Sequence, residues 1–373
     1  MKKLLSKILR PIGNLLRIRT LDVYIIKKFL GTYFFAIVLI LAIIVMFDIN
    51  EKLDNFMKAP LMATIFDYYV NFLPYMANQF SPLFTFIAVI FFTSKMADNS
   101  EIIAILSSGV SFRRLLRPYM ISACAIAAFT FLLDAYVIPP ANVKRINYQN
   151  TYVKNKAKDY GVNIQLQVAP GEFAYMARFD NRTKSAYSFS LEQFKGNQLT
   201  SRLTANSAVY DTLYRWKLRD YMIRDFQGMK EHITKGVSLD TIIPIEPRDF
   251  LISENDHEKM TTPELKQYID RQKMRGVANI KSFEIEYERR FAMAGAAFIL
   301  TLIGMSLSSR KVKSGMGINI GIGLVLSFSY ILFSTVTSTF AVSGYTSPFI
   351  AMWIPNVIYL IIGIVLYRRA SIV

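Results

Sequence analysis

Glu101 opens the segment of this chain whose residue types and spacing point most clearly to a chemical task. The segment runs Asp98-Asn-Ser-Glu-Ile-Ile-Ala-Ile-Leu-Ser-Ser-Gly-Val-Ser-Phe-Arg-Arg-Leu-Leu-Arg-Pro118. Asn99 or Ser100 can cap a helix, Glu101 suits its positive end, and Gly109 can end it. Ile102, Ile103, Ile105 and Leu106 then cover much of a short helix that faces the cytosol. Apolar residues in that position need something to pack on. Either the membrane interface or a groove on a partner protein supplies it, and in the groove Glu101 would set the register. The chemistry expected here is docking, not bond making.

Residues for covalent chemistry do not converge. There is no Gly-x4-Gly-Lys-Ser/Thr phosphate loop, and no Ser/His/Asp or Cys/His arrangement. His232 and His257 stand apart in a polar region and read as surface residues. Cys124, the single cysteine, sits in an apolar run, where it reads as a small buried side chain. Asp134 lies near the end of an apolar run. Asn78 and Gln79 fall between Pro74 and Pro82, where a kinked backbone needs partners, so packing explains them better than ion conduction. No enzyme activity, cofactor or metal is expected.

The elements that must position the Glu101 segment are membrane helices. A bilayer core about 30 Å thick needs ~20 apolar residues in a helix. Six runs qualify: Phe29–Phe47, Phe66–Phe92, Pro118–Val137, Phe291–Leu307, Gly317–Phe340 and Pro348–Tyr367. The net charge of +17 could suggest nucleic acid, but the basic residues gather at the edges of these runs. Lys2, Lys3, Lys7, Arg10, Arg17, Arg19, Lys27 and Lys28 precede the first. Lys95, Arg113, Arg114 and Arg117 lie between the second and third, Arg310, Lys311 and Lys313 between the fourth and fifth, and Arg368 and Arg369 after the sixth. The other short loops are acidic or uncharged. The positive-inside rule therefore places both termini in the cytoplasm and the intervening polar domain outside the inner membrane, with no nucleic-acid partner.

The first run is expected to be a retained span, because its basic lead-in is too long for a signal peptide and no small-x-small site follows. Within the lead-in, Leu4, Leu5, Ile8, Leu9, Ile12, Leu15 and Leu16 suit an amphipathic helix on the anionic cytoplasmic surface. In the fifth run Gly317 and Gly321 form a small-xxx-small face for close helix packing.

Between the third and fourth runs the pattern becomes alternation. Candidate strands are Gly161–Val168, Phe173–Phe179, Tyr187–Phe194, Leu199–Ala205, Ser207–Thr212, Arg215–Phe226 and Leu239–Ile243, separated by turns such as Pro170-Gly171 and Gly196-Asn197. That implies an all-β sandwich or open barrel, its interior either filled or open to something apolar. Thr261, Pro263 and Glu264 then start a helix that ends near Gly276.

The chain thus divides into residues 1–138, with the docking helix at 98–109; a β-domain at 139–260; a connecting helix at 261–283; and a second membrane part at 284–373.

These features resemble the LptF/LptG permease family over essentially the whole chain. Ser100-Glu-Ile-Ile-Ala-Ile-Leu-Ser-Ser-Gly-Val-Ser111 looks like the family's cytoplasmic coupling segment. Pro74…Pro82, Val137-Ile-Pro139, Glu286-Tyr-Glu-Arg-Arg-Phe and Arg310-Lys-Val-Lys-Ser-Gly-Met-Gly add to the likeness. The resemblance implies an α-helical integral membrane protein, six spans in a 3+3 arrangement, with an inserted periplasmic jellyroll. It implies a permease subunit of an ABC-type transporter that extracts lipopolysaccharide from the inner membrane and passes it through the β-domain. Its partners would be a cytoplasmic LptB-like ATPase dimer, a second LptF/LptG-type subunit and an LptC-like periplasmic jellyroll protein. Glu101, Ile102, Ile105, Leu106 and Gly109 would form the ATPase-coupling helix. The first and fifth spans, with Gly317 and Gly321, would line a lateral gate. Lys52, Lys58, Lys144 and Arg145 are the candidates to face lipid phosphates, although the family's lysine positions at the outer end of the first span hold Phe47–Glu51 here. The alternative is a membrane-anchored scaffold or sensor that binds a periplasmic protein and moves no lipid.

Overall fold

A computed structural model describes residues 19–153, 160–212, 214–228, 230–247, 256–274, 280–310 and 316–371. The amphipathic lead-in, the helix end expected near Gly276, and Lys311, Lys313 and Gly315 lie outside the described residues. The chain forms two compact units. One takes in the residues up to Leu53, Phe72–Ile138 and Glu288 onward; the other takes in Asp54–Asn71 and Pro139–Tyr287.

In the first unit, helix α1 (Thr20–Phe56) buries Ile25, Phe29, Tyr33 and Ile37. Their spacing of four forms one ridge along the helix. Phe29 stacks on Phe92 at 5.3 Å between ring centroids, and Phe92 stacks on Tyr119 at 5.2 Å. Past Ile37 the packing thins: Ile40 and Leu41 lie only partly against this core, Val38, Leu39, Ile43 and Met46 are exposed, and the next buried residue is Asp48.

The second apolar run is not one helix. A π-helical segment, Thr64–Tyr69, leads into α2 (Val70–Gln79), and a break at Phe80 precedes α3 (Ser81–Asp98). Pro82 in the first turn of α3 costs no hydrogen bond there. Asn71 donates to the carbonyls of Phe66 and Asp67 at 3.0 and 2.9 Å, covering acceptors where the winding changes. The short helix α4 (Glu101–Ser107) follows, then α5 (Phe112–Leu132), capped by the Ser111 hydroxyl, which accepts from the Arg114 N–H at 3.2 Å. Cys124 is exposed on α5, not buried as its apolar surroundings suggested; in a helix facing lipid, apolar side chains need no cover from the rest of the chain.

After the π-helical segment Leu133–Val137, α6 (Ile138–Tyr148) carries the chain into the second unit. There β1 (Tyr160–Ala169), β2 (Glu172–Asp180), β3 (Ser185–Lys195), β4 (Gln198–Tyr210), β5 (Arg215–Gln227) and β6 (Lys230–Ile242) form one antiparallel sheet in sequential order. Leu199–Ala205 and Ser207–Thr212, expected as two strands, belong to the single strand β4. Strand β6 begins at Lys230, well before the expected Leu239. Its first residues are exposed on both faces, so no alternation marks them.

The inward phase changes part-way along the sheet. Met176 and Phe179, Ala186 and Phe189, and Ala205 and Ala208 are buried although each pair is three apart. In the register, Arg178 faces Tyr187 and Met176 faces Phe189, but Ala177 has no partner row. The same gap recurs at Ser188 and Asn206, at Asp220, and at Asn163. Asn163, Ser188 and Asp220 have positive φ, on alternate strands. This crease lets one sheet wrap a core on a single concave face. Trp216 fills one end of that core, against Tyr210, Phe179 and Phe189, and its indole N–H donates to the Ile245 carbonyl at 3.1 Å.

Later in the second unit comes α7 (Thr262–Met274), whose Leu265, Tyr268 and Ile269 pack on Phe283. Three further helices, α8 (Lys281–Ser308), α9 (Met316–Val342) and α10 (Pro348–Ser371), follow. In the first unit Asn356 of α10 accepts from Tyr330 of α9 and donates to the Ala292 carbonyl of α8, both at 2.8 Å. Six of the described helices are long and apolar enough to cross a membrane.

Candidate docking and coupling site

Helix α4 is bounded by two backbone reversals: Ser100 at φ 62° and Gly109 at φ 85°. Glu101 opens it, but its carboxylate is engaged within the chain. Lys28 Nζ lies 3.1 and 3.0 Å from Oε1 and Oε2, and the Tyr24 hydroxyl donates to Oε2 at 2.8 Å. Lys28 also sits 4.3 Å from the centroid of the Tyr24 ring. Partial burial pushes the Glu101 carboxyl up. The hydrogen bonds from Tyr24, Lys28 and Asn99 and the Lys28 charge outweigh it and hold the group below its ordinary value.

The other residues of the expected coupling helix divide. Ile102 is buried, and Ile105 and Leu106 pack partly against the core of the first unit. Gly109 is exposed, as are Ile103, Ala104 and Ser107. The surface α4 offers outward therefore centres on Ile103. Arg114, named in the sequence only as one of the basic residues at a membrane edge, makes a two-pronged contact nearby. Its guanidinium reaches both carboxylate oxygens of Asp22 at 2.6 Å, and Asp22 is 1% exposed. The acidic residue in the first turn of α1 was the only local signal for it.

The candidate phosphate ligands are not brought together as a set. Lys52 is paired with Asp48 one turn earlier. Arg145 is buried and bonds Glu258 at 2.8 Å and Asn142 at 3.0 Å. Lys58 and Lys144 are exposed. Gly317 and Gly321 have open space where a Cβ would stand. Gly323 on the same helix does pack closely within the chain, against Ile90, as does Gly304 of α8 against Val89 and Phe86. His232 lies on β6 opposite Asp225, and the His257 ring lies 5.9 Å from that of Phe283.

No curated protein matches this chain. The family model described as lipopolysaccharide export system permease LptF/LptG matches residues 23–369. That match runs from the first membrane helix through the sheet to the sixth, and the chain therefore belongs to the LptF/LptG family of lipopolysaccharide export permeases, multi-pass proteins of the inner membrane.

Proposed function

We propose that this chain is a non-catalytic permease subunit of an ABC-type transporter, which extracts lipopolysaccharide from the inner membrane and passes it along its β-domain towards the outer membrane. Both termini lie in the cytoplasm and the β-domain in the periplasm, as the basic loops require. The observation that carries the proposal is the family match over six apolar helices with a sheet inserted between the third and fourth. An LptB-like ATPase dimer docks on α4 through Ile103 and its exposed neighbours. A second LptF/LptG-type subunit faces α1 and α9, where the outer half of α1 is exposed and Gly317 and Gly321 are uncovered. An LptC-like domain pairs with an edge strand of the sheet, β6 being exposed along its length. Partly buried Leu191, Leu203 and Tyr221 pack at the margin of the sheet's core and supply an apolar path for acyl chains.

The test is a complex purified in detergent and reconstituted with lipopolysaccharide, carrying a photoreactive residue at Leu203. ATP-dependent lipid adducts are expected at that position. Adducts with protein alone, in a complex that retains no ATPase, would instead identify a scaffold.

A further inference from the structure

We infer that Glu101 is a positioning residue that clamps the docking helix to the first membrane helix, so that α1 and α4 move as one body. The inference rests on α4 being the element an ATPase partner pushes. A seven-residue helix between reversals at Ser100 and Gly109, with Ile102 its one fully buried side chain, would otherwise swing about its ends. Two sets of bonds prevent this, and both end on α1. Before α4 has completed a turn, Glu101 is held by Tyr24 and Lys28. Just past Gly109, Arg114 is held by Asp22.

Asp22 and Lys28 are six residues apart, roughly 9 Å along a helix. The docking helix is thus fastened at both flanks to one short stretch of α1. The same stretch carries the ridge Ile25, Phe29 and Tyr33, and the Tyr33 hydroxyl is bonded to Ser81 of α3 at 2.8 Å. Beyond Ile37 the burial of α1 thins: Ile40 and Leu41 pack only partly on the same core, and Asp48 is the next buried residue. A displacement of α4 is therefore delivered to the most closely packed stretch of α1, which carries the rest of the helix with it. In this arrangement the Glu101 charge is consumed inside the chain, and contact with the partner is left to the exposed face around Ile103.

Charge reversal separates this role from a direct contact between Glu101 and an ATPase cation. In the reconstituted complex, Glu101→Lys and Lys28→Glu should each lower the lipopolysaccharide released per ATP hydrolysed by about tenfold or more, the factor that accompanies loss of about 1.4 kcal/mol. The double exchange Lys28→Glu/Glu101→Lys should recover most of it. A double exchange as poor as Glu101→Lys alone overturns the clamp and places the partner of Glu101 in another protein. If no ATPase is retained, the docking proposal fails while the clamp is still decided by the chain alone. Lys28→Met and Glu101→Gln together should then lower the thermal midpoint in detergent by clearly less than the sum of their single effects. Additive losses overturn it.

Discussion

Arg114 and Asp22 meet through two parallel hydrogen bonds of 2.6 Å, joining the first turn of α5 to the first turn of α1 across 92 residues of sequence. Asp22 accepts a third from the Arg19 backbone N–H at 2.8 Å. A carboxylate this buried is tolerable only because a planar, two-pronged cation answers both oxygens. The Arg114 side chain is a quarter exposed, so Arg114→Met should cost about 1–3 kcal/mol, less than the loss of one partner of a fully buried pair. Arg114→Lys should cost less, since it keeps the charge and loses the fork. Unfolding midpoints of the purified chain in detergent would rank them. Equal midpoints for wild type and Arg114→Met would refute the assigned weight of this pair.

Glu101 is held below its ordinary carboxylate value in the folded chain. A group depressed on folding binds fewer protons than in the unfolded state, so its contribution is present above the unfolded value and lost as pH falls through the folded one. Stability should decline on acidification below the normal glutamate range. Glu264, depressed chiefly by its hydrogen bonds with Thr261, titrates with the same sign. The diagnostic quantity is thus the difference between wild type and Glu101→Gln, which should shrink as pH falls. A difference independent of pH would contradict the ionised clamp.

Trp216 is the largest side chain buried in the sheet's core. Trp216→Ala should cost about 3–5 kcal/mol by cavity formation. The loss should be seen as faster amide exchange in β2 to β5, with the membrane helices unaffected. At Gly171, φ is 80° and a Cβ would stand 2.7 Å from the Phe194 carbonyl oxygen, so Gly171→Ala meets both strain and a clash. Gly196→Ala meets only the positive φ of 66°, with open space around it. The first should destabilise the domain by about 1–3 kcal/mol and the second by less. The same exchange measurement decides their order.

Gly323 and Gly317 lie on one helix but make opposite predictions. A side chain at Gly323 collides with Ile90, so Gly323→Leu should lower yield and thermal stability of the chain itself. Gly317→Leu meets nothing within the chain. It should leave the isolated chain as stable as wild type and weaken only association with a second subunit, as read by native mass spectrometry of the complex. Loss of stability in the isolated chain would show that Gly317 packs internally.

The spans were legible because a bilayer imposes length and composition on each helix separately, and no partner is needed to see them. The break at Phe80 was half visible: Pro74 and Pro82 announce interruption, but not where the helix restarts. Most strands were visible by alternation. The crease was not, since Met176 and Phe179 violate a period of two only once their neighbours are known to share one concave face. Strand β6 escaped because an edge strand with both faces in solvent has no pattern to show.

Residue by residue, the site divides in the same way. Local spacing and caps were enough to identify a short helix opening at Glu101, rich in apolar residues and ending at Gly109. They could not say that Ile102 turns inward while Ile103 turns out. Nor could they pair Glu101 with Lys28, 73 residues away, or Arg145 with Glu258, 113 away. Composition along a chain determines which solvent each segment must meet, and that follows from the sequence alone. Which charge answers which is decided by packing, because a buried ion takes its partner from whatever the fold brings within reach, whatever its position in the sequence.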